Sequence, residues 1–233
     1  MGTGPAGEKG PTGPQGPEGD QGPPATGAPL LVLADIVEPG PYVIVIPLDA
    51  SFMSVTLIGG GALSVANNGG GGGGAFYDYP VPIFSNEDPD LLLTFTLIVG
   101  AVGQPTVLTL PSGATLLAGG GVGTQGGNVV VNGQILAVGG NSGTEPTWVS
   151  LANMSMCFYV FGGGGGGLGV GGNNGTSSGS QLGGMGDGLT LGGGGASIRA
   201  PGMDANGAGL PGHGAGAGAN TSAGTGYARI IFY

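Results

Sequence analysis

The chain contains 233 residues, of which 60 are glycine and 18 are proline, and its thirteen acidic and three basic residues give a formal net charge of −10. Disordered chains combine low hydropathy with high charge, whereas here 7% of the residues are charged and the mean hydropathy is +0.30, so we expect the chain to fold or assemble. Three basic residues are too few to neutralise phosphates, which excludes nucleic acids and anionic membrane surfaces as partners.

Targeting segments are not visible in the sequence. The longest apolar run falls short of the 18 residues that a membrane span requires, so no membrane insertion is expected. The first residues have neither the basic nor the apolar part of a secretory signal peptide, which predicts synthesis without one. The chain's one cysteine, Cys157, lies in an apolar run and is expected to be an inert core thiol.

A collagen-like segment begins the chain. Seven unbroken Gly-X-Y triplets extend from residue 4 to residue 24, within a predicted stalk of residues 1–27. Collagen winds three polyproline II chains together and accepts only glycine at the crowded axis, so the triplets predict a homotrimer with a stalk about 60 Å long. A flexible Pro/Gly linker is the alternative. The triplet glycines are Gly4, Gly7, Gly10, Gly13, Gly16, Gly19 and Gly22.

Residues 28–40 are predicted to form a neck or linker. They contain the apolar stretch 30–37, which suits either of two structures. It can hold three chains together as a trimeric neck, or it can add a β-strand to a neighbouring sheet. Seven triplets are a marginal triple helix by themselves, so some other contact must hold the three chains.

The remainder, residues 41–233, is predicted to be an all-β head of β-sandwich-like architecture. Its apolar runs are rich in β-branched and aromatic residues and are bounded by Pro, Gly, Asn and Asp, as strands are. Asn132-Gly133 between two such runs predicts a tight hairpin. The predicted strands are residues 42–46, 52–58, 91–99, 106–110, 129–136, 148–151, 158–161 and 227–233.

Runs of glycine separate these strands, at residues 69–74, 162–167 and 192–195. Ordering glycine costs more conformational entropy than ordering any other residue, so one alternative is a set of disordered linkers. The other is a group of polyproline II helices that pack side by side and hydrogen-bond laterally, because they have no Cβ atoms. Apolar residues such as Leu168, Val170 and Leu189 are interspersed between the runs and favour the packed alternative.

The order of these segments resembles the glycine-rich domain found at the C-terminal end of collagen-like and fibre proteins of viruses, phages and bacteria. The resemblance covers about residues 41–233, and it rests on 42–46, 54–61, 69–75, 97–103, 116–121 and 227–233. It implies a structural or adhesive surface fibre whose receptor contacts lie in loops among the glycine helices. The acidic insert 85–90 and the hydrophobic stretch 147–161 depart from the pattern, so no receptor-binding residue is carried over.

Motifs of enzymes and metal sites occur in settings that do not suit them. Gly121–Gly126 matches the dinucleotide motif G-x-G-x-x-G but precedes a predicted strand rather than a helix. Gly175–Gly179 matches the G-x-S-x-G motif without the strand–turn–helix that it needs, and His213 is its one candidate base. Asp187 and the acidic segment 85–90 are weak candidates for calcium. We therefore expect no enzyme activity, metal or cofactor.

Two functions remain. The first is a non-enzymatic structural fibre: a trimer that assembles head to tail into an extracellular filament on a spore or virion surface. The alternative is a trimeric fibre-tip adhesin of a virus or phage that binds a host glycan or protein. Four aromatic residues are candidates for stacking on such a receptor: Tyr77, Tyr79, Phe84 and Trp148.

Overall fold

A computed structural model describes residues 31–83, 93–142, 144–153, 156–170, 172–207 and 212–233. The described residues form strands and turns and contain no helix, which confirms the all-β class. The predicted stalk with its triplet glycines lies outside the described residues, as do Phe84 and the acidic segment 85–90.

Twelve strands lie within this part of the chain. They are β1 Leu31–Ile36, β2 Gly40–Val45, β3 Phe52–Ile58, β4 Ala75–Pro82, β5 Thr94–Val99, β6 Thr106–Thr109, β7 Thr115–Ala118, β8 Val129–Val131, β9 Gln134–Ala137, β10 Trp148–Asn153, β11 Met156–Phe161 and β12 Tyr227–Phe232.

The strands form two six-stranded antiparallel sheets. Sheet 1 has the order β1-β12-β3-β4-β11-β10, and sheet 2 has the order β2-β5-β6-β7-β8-β9. The predicted hairpin is confirmed, because Asn132 and Gly133 join β8 to β9 with φ values of 48° and 79°. Positive φ at both central residues is the requirement of a type I′ turn.

The hydrophobic core lies between the sheets. In β5 the side chains alternate strictly, with Phe95, Leu97 and Val99 buried and their neighbours exposed. Sheet 1 contributes buried side chains such as Phe76 and Phe232 to the same cluster. Two antiparallel sheets with one shared core agree with the sandwich-like head that the alternating strands predict.

The stretch for which a neck and an added strand were the alternatives forms a strand. β1 pairs with β12 from Leu31 opposite Phe232 to Ile36 opposite Ala228, and a bulge lies between Leu33 and Ile36. β1 is the edge strand of sheet 1, so Leu31–Ile36 are part of the head.

The glycine runs form one hydrogen-bonded body, which we call the glycine bundle: segments 59–62, 69–74, 119–127, 162–167, 192–196 and 214–219. Segment 69–74 is fully buried within it. Its amides bond to three neighbours in rotation. The amides of Gly69 and Gly72 donate to segment 162–167, at the carbonyls of Gly167 and Gly164 respectively. Those of Gly70 and Gly73 donate to segment 214–219, at Ala217 and Gly214, and those of Gly71 and Gly74 donate to segment 119–127, at Gly123 and Gly119. All six N···O distances are 2.6–2.9 Å.

This rotation identifies the geometry of the segment. Residues three apart face the same neighbour, and three residues per turn is the repeat of a polyproline II helix, which has no internal hydrogen bonds. All six amides of the segment therefore point outward to other segments. The packed alternative, rather than the linker alternative, describes these residues.

Close approach explains why the bundle consists of glycine. A Cβ atom built on Gly72 would fall within 3.0 Å of the carbonyl of Ala196, and one on Gly73 would meet the carbonyl of Gly59 equally closely. Real Cβ atoms do not approach so closely, so any larger residue must push the segments apart. Alanine is accepted where the backbone leaves room, as at the fully buried Ala215, Ala217 and Ala219.

Replacing Gly72 by alanine is expected to destabilise the head by about 3 kcal/mol or more, at or above the upper end of the usual overpacking cost. The reason is that the obstructing atoms are backbone and cannot rotate away. Gly113→Ala is the matched control: nothing lies near its added Cβ, but its φ is +83°, so it costs about 1–2 kcal/mol through backbone strain alone. Urea denaturation of both variants measures the difference, and equal losses would contradict the close-approach argument.

Candidate functional site

Both glycine-rich enzyme motifs coincide with tight turns, at Val122–Gln125 within segment 119–127 and at Ser178–Gln181 outside the bundle segments. Val122 and Gln125 bond to each other in both directions within Gly121–Gly126, and a strand follows rather than a helix. In Gly175–Gly179 the hydroxyl of Ser178 donates to the carbonyl of Gly162, which holds the turn to the bundle. Both motifs are accounted for by turn geometry.

Asp187 is likewise explained by its own turn. Its Oδ1 accepts hydrogen bonds of 2.8 Å from the amides of Leu189, Thr190 and Leu191. The bonds from Leu191 and Leu189 are the main reason that the pKa of this carboxyl lies below its ordinary value. The carboxylate closes a surface loop, and the described residues contain no group of three or more potential metal ligands.

Four polar residues meet where the last residues of β1 pair with the first residues of β12. We call them the junction cluster: Asp35, Arg199, His213 and Tyr227. The hydroxyl of the buried Tyr227 donates to Oδ1 of Asp35 at 2.7 Å. The Arg199 guanidinium lies 4.0 Å from the centroid of the Tyr227 ring, in cation–π geometry, and 4.0 Å from Asp35 Oδ1. The His213 ring lies on Tyr227 with its centroid 5.4 Å away.

The backbone supports this cluster. Asp35 occupies the bulge of β1 and has φ of 58°, a conformation that L-residues seldom adopt. The hydroxyl of Ser197 donates to the carbonyl of His213 at 2.6 Å, so the turn that carries Arg199 is tied to the histidine loop. In addition to its pairing with β12, strand β1 is therefore held at Asp35 by the Tyr227 hydroxyl, with the Arg199 guanidinium 4.0 Å away.

Burial shifts the pKa values of two members of the junction cluster, Tyr227 and His213. Burial raises the pKa of the Tyr227 hydroxyl, and the hydrogen bond to Asp35 raises it further, so the phenol keeps the proton that it donates. Burial also lowers the pKa of His213, and the positive charge of Arg199 acts in the same direction. The charge of Asp35 and a hydrogen bond with the backbone of Gly226 act in the opposite direction but are smaller, so folding shifts the imidazole towards its neutral form.

Tyr227→Phe removes the hydroxyl that donates to Asp35 and is expected to lower the free energy of unfolding by about 1–2 kcal/mol. This value is in the lower part of the range for a hydrogen bond to a charged acceptor, because the Asp35 carboxylate is largely exposed. Amide exchange in Leu31–Ile36 is expected to accelerate with it. Tyr42→Phe is the control, since its hydroxyl donates to the carbonyl of Glu38 only four residues away. Mass spectrometry of hydrogen exchange distinguishes the two, and unchanged exchange of β1 in Tyr227→Phe would show that the cluster does not hold this strand.

A groove of about 640 Å³ lies beside the outer edge of sheet 1. Trp148 and Phe161 are direct partners across the β10–β11 hairpin, and Tyr159 is two residues from Phe161, so all three side chains share one face. The Tyr159 and Phe161 rings are 5.8 Å apart and stacked. Trp148 is 61% exposed, and Glu145, Ser177 and Ser180 supply polar atoms around it. We call this the aromatic groove.

The aromatic residues that the sequence suggested for receptor stacking lie in different surroundings. Trp148 lies in the aromatic groove, and Tyr77 is exposed on the same face of sheet 1, opposite Tyr159. Tyr79 packs against the core and contacts Phe76 edge to face. Tyr77 and Tyr79 are two residues apart and would share a face in a regular strand. They do not, because the β3–β4 pairing has a bulge at this point, where Asp78 has φ of 49°. Tyr159 and Phe161 were not predicted as site residues, because only the β10–β11 pairing brings them to Trp148. Glu145 was not predicted either, although it is only three residues before Trp148 in the sequence.

No protein-family model matches the chain, and no curated protein matches it. The similarity to the glycine-rich domain of collagen-like fibre proteins therefore stays a prediction from the residues. In the part of the chain that the structure describes, no helix is long and apolar enough to cross a membrane.

Proposed function

We propose that the chain is a non-enzymatic structural protein of a spore or virion surface. Three copies share a collagen-like stalk, each carries a glycine-rich β head, and the trimers assemble head to tail into an extracellular filament. The protein acts by self-association and uses no cofactor. The observation that carries the proposal is the succession of seven Gly-X-Y triplets and, after residues 25–30 only, a head whose first strand is β1.

The attachment of β1 supports a mechanical role. A stalk transmits force to its head through the strand that follows it. β1 makes four Cα pairings with β12 and is fastened again by the junction cluster through Asp35. A pull on the stalk is thus shared among strand pairs, an ion pair and a buried hydroxyl. This construction suits a fibre under load.

The edge position of β1 supports the head-to-tail step. Edge strands present backbone N–H and C=O groups to which another chain can add a strand. The contact between the stalk of one trimer and the head of the next is heterologous, and such contacts propagate into a filament unless they close. The stalk end of the head is therefore a suitable junction between successive trimers.

Electron microscopy of the negatively stained full chain tests the proposal. Long regular filaments are expected from the full chain and are expected to disappear when residues 1–27 are removed. Gly13→Ala is the control of equal length, because it breaks the triplet series at its middle and leaves the head intact. Filaments that persist in both variants, or a full chain with the mass of a single copy in light scattering, would contradict the proposal.

The aromatic groove favours a second candidate function, a fibre-tip adhesin that binds a host-surface glycan. Sugar rings stack their C–H faces on exposed aromatic rings, and their hydroxyls bond to carboxylates and hydroxyls. Trp148 supplies the exposed ring, and Glu145 with Ser177 and Ser180 supplies the polar partners. On this alternative the protein stays a discrete trimer with a thin stalk.

Fluorescence tests the groove directly, because Trp148 is the one tryptophan of the chain. A glycan that stacks on its ring is expected to shift the emission to shorter wavelength as it shields the indole from water. Glu145→Gln is expected to weaken binding, and Glu38→Gln, the same change at an exposed glutamate outside the groove lining, is the control. An array of host-surface glycans that produces no shift would rule out this function.

A further inference from the structure

The outer face of sheet 2 carries an apolar row across all six strands. The paired residues are Pro41 with Ile98, Ile98 with Val107, Val107 with Leu117, Leu117 with Val130, and Val130 with Ile135. Directly opposed residues of an antiparallel sheet point to the same face. Ile98 is 49% exposed and Ile135 is 58% exposed, although both are isoleucines in regular strands.

The opposite face of the same strands is accounted for by the core. Leu97, Leu108 and Leu116 are each adjacent in sequence to a residue of the row, so their side chains point to the other face of the sheet. They are buried against sheet 1. The row is therefore a second apolar surface of one sheet. Contiguous apolar surfaces of this kind on a folded head mark interaction sites.

The strands of sheet 2 contain no Asp, Glu, Lys or Arg, in a chain that has thirteen acidic residues. Beside the row lies a line of Val43, Thr96, Thr109 and Thr115, also paired in register and uncharged. Sheet 1, in contrast, carries Asp35, Asp78 and Arg229 in its strands. Depletion of charge is the compositional mark of an interface core.

We infer that this face of sheet 2, which we call the row face, is the contact between the three heads of a trimer. The inference rests on the proposed function, since the Gly-X-Y triplets supply the requirement for three copies. Each copy has a formal charge of −10, so three heads repel one another wherever their acidic residues approach. The uncharged row face is a surface through which identical anionic heads can meet.

Threefold symmetry fits a row that extends from one edge of the sheet to the other. Contacts around a threefold axis are heterologous: one part of the face meets a different part of the next copy, and the ring closes after three. The β2–β5 end of the row in one copy then lies near the β8–β9 end in the next. Burial of the row also supplies the additional contact that seven triplets need.

Cysteine cross-linking of the full chain tests the inference. Ile98→Cys combined with Ile135→Cys places a thiol near each end of the row, and a short bis-maleimide is expected to give covalent dimers and trimers on a denaturing gel. Leu182→Cys combined with Leu189→Cys is the control, at positions 71% and 75% exposed in bundle loops, and the wild-type chain with Cys157 sets the baseline. Cross-linking of the row variant at the level of this control would overturn the inference.

Light scattering of the same samples distinguishes a failure of the row-face inference from a failure of the proposed trimeric fibre. A mass of three times 22.0 kDa with no row-specific cross-link would refute the row face and leave the trimeric fibre standing. A mass of 22.0 kDa would refute both. Ile98→Glu with Ile135→Glu is expected to lower the trimer fraction, whereas Leu182→Glu with Leu189→Glu is expected to leave it unchanged; equal effects would again overturn the inference.

Discussion

The hydrogen bonds between glycine segments require backbones to approach more closely than a Cβ atom permits. Glycine loses the most conformational freedom on folding, so such segments order only where their polar groups find partners. In segment 69–74 every amide does so, with three neighbouring segments in turn. The same closeness excludes side chains, since a Cβ at Gly71 or Gly216 would fall on a neighbouring carbonyl. The high glycine content of these segments is thus a requirement of their close packing.

The two sheets depend on this constraint because their strands continue directly into the bundle. β3 ends at Ile58 before Gly59, β7 ends at Ala118 before Gly119, and β11 ends at Phe161 before Gly162. β4 begins where segment 69–74 ends, and β12 begins directly after Gly226, seven residues beyond segment 214–219. The register of the strands sets which glycines face each other, and a shift of one residue would place a different glycine against each neighbour. We therefore expect sandwich and bundle to unfold as one cooperative unit.

Local sequence signals were sufficient for much of the head. The apolar run 52–58 coincides with β3, and Asn132-Gly133 closes the predicted hairpin. β4 was not predicted, because Pro80 and Pro82 argue against a strand inside a sheet. β11 pairs only with Ala75–Tyr77 of β4. The part of β4 that contains Pro80 and Pro82 therefore has no strand on its β11 side, and proline is accepted in such an edge position.

Long-range pairing decided the rest. Tyr227 and Asp35 are separated by 192 positions, and no local pattern predicts that they share a hydrogen bond. Residues 30–37 suited a neck and a strand equally well, and only the availability of β12 as a partner distinguishes them. The row face is also invisible in any one strand, because each contributes a single residue and the row exists only when the registers of six strands are combined.

Amide hydrogen exchange across residues 162–226 of the native protein tests the central claim most directly. If close-approach hydrogen bonds organise the head, Gly164, Gly193 and Gly216 will be protected to a degree comparable with the strand residues of β3 and β12, and they will exchange only in cooperative opening events. Complete exchange of these glycines within seconds, beside protected strands, would show that the runs are linkers between sheets and would contradict the account.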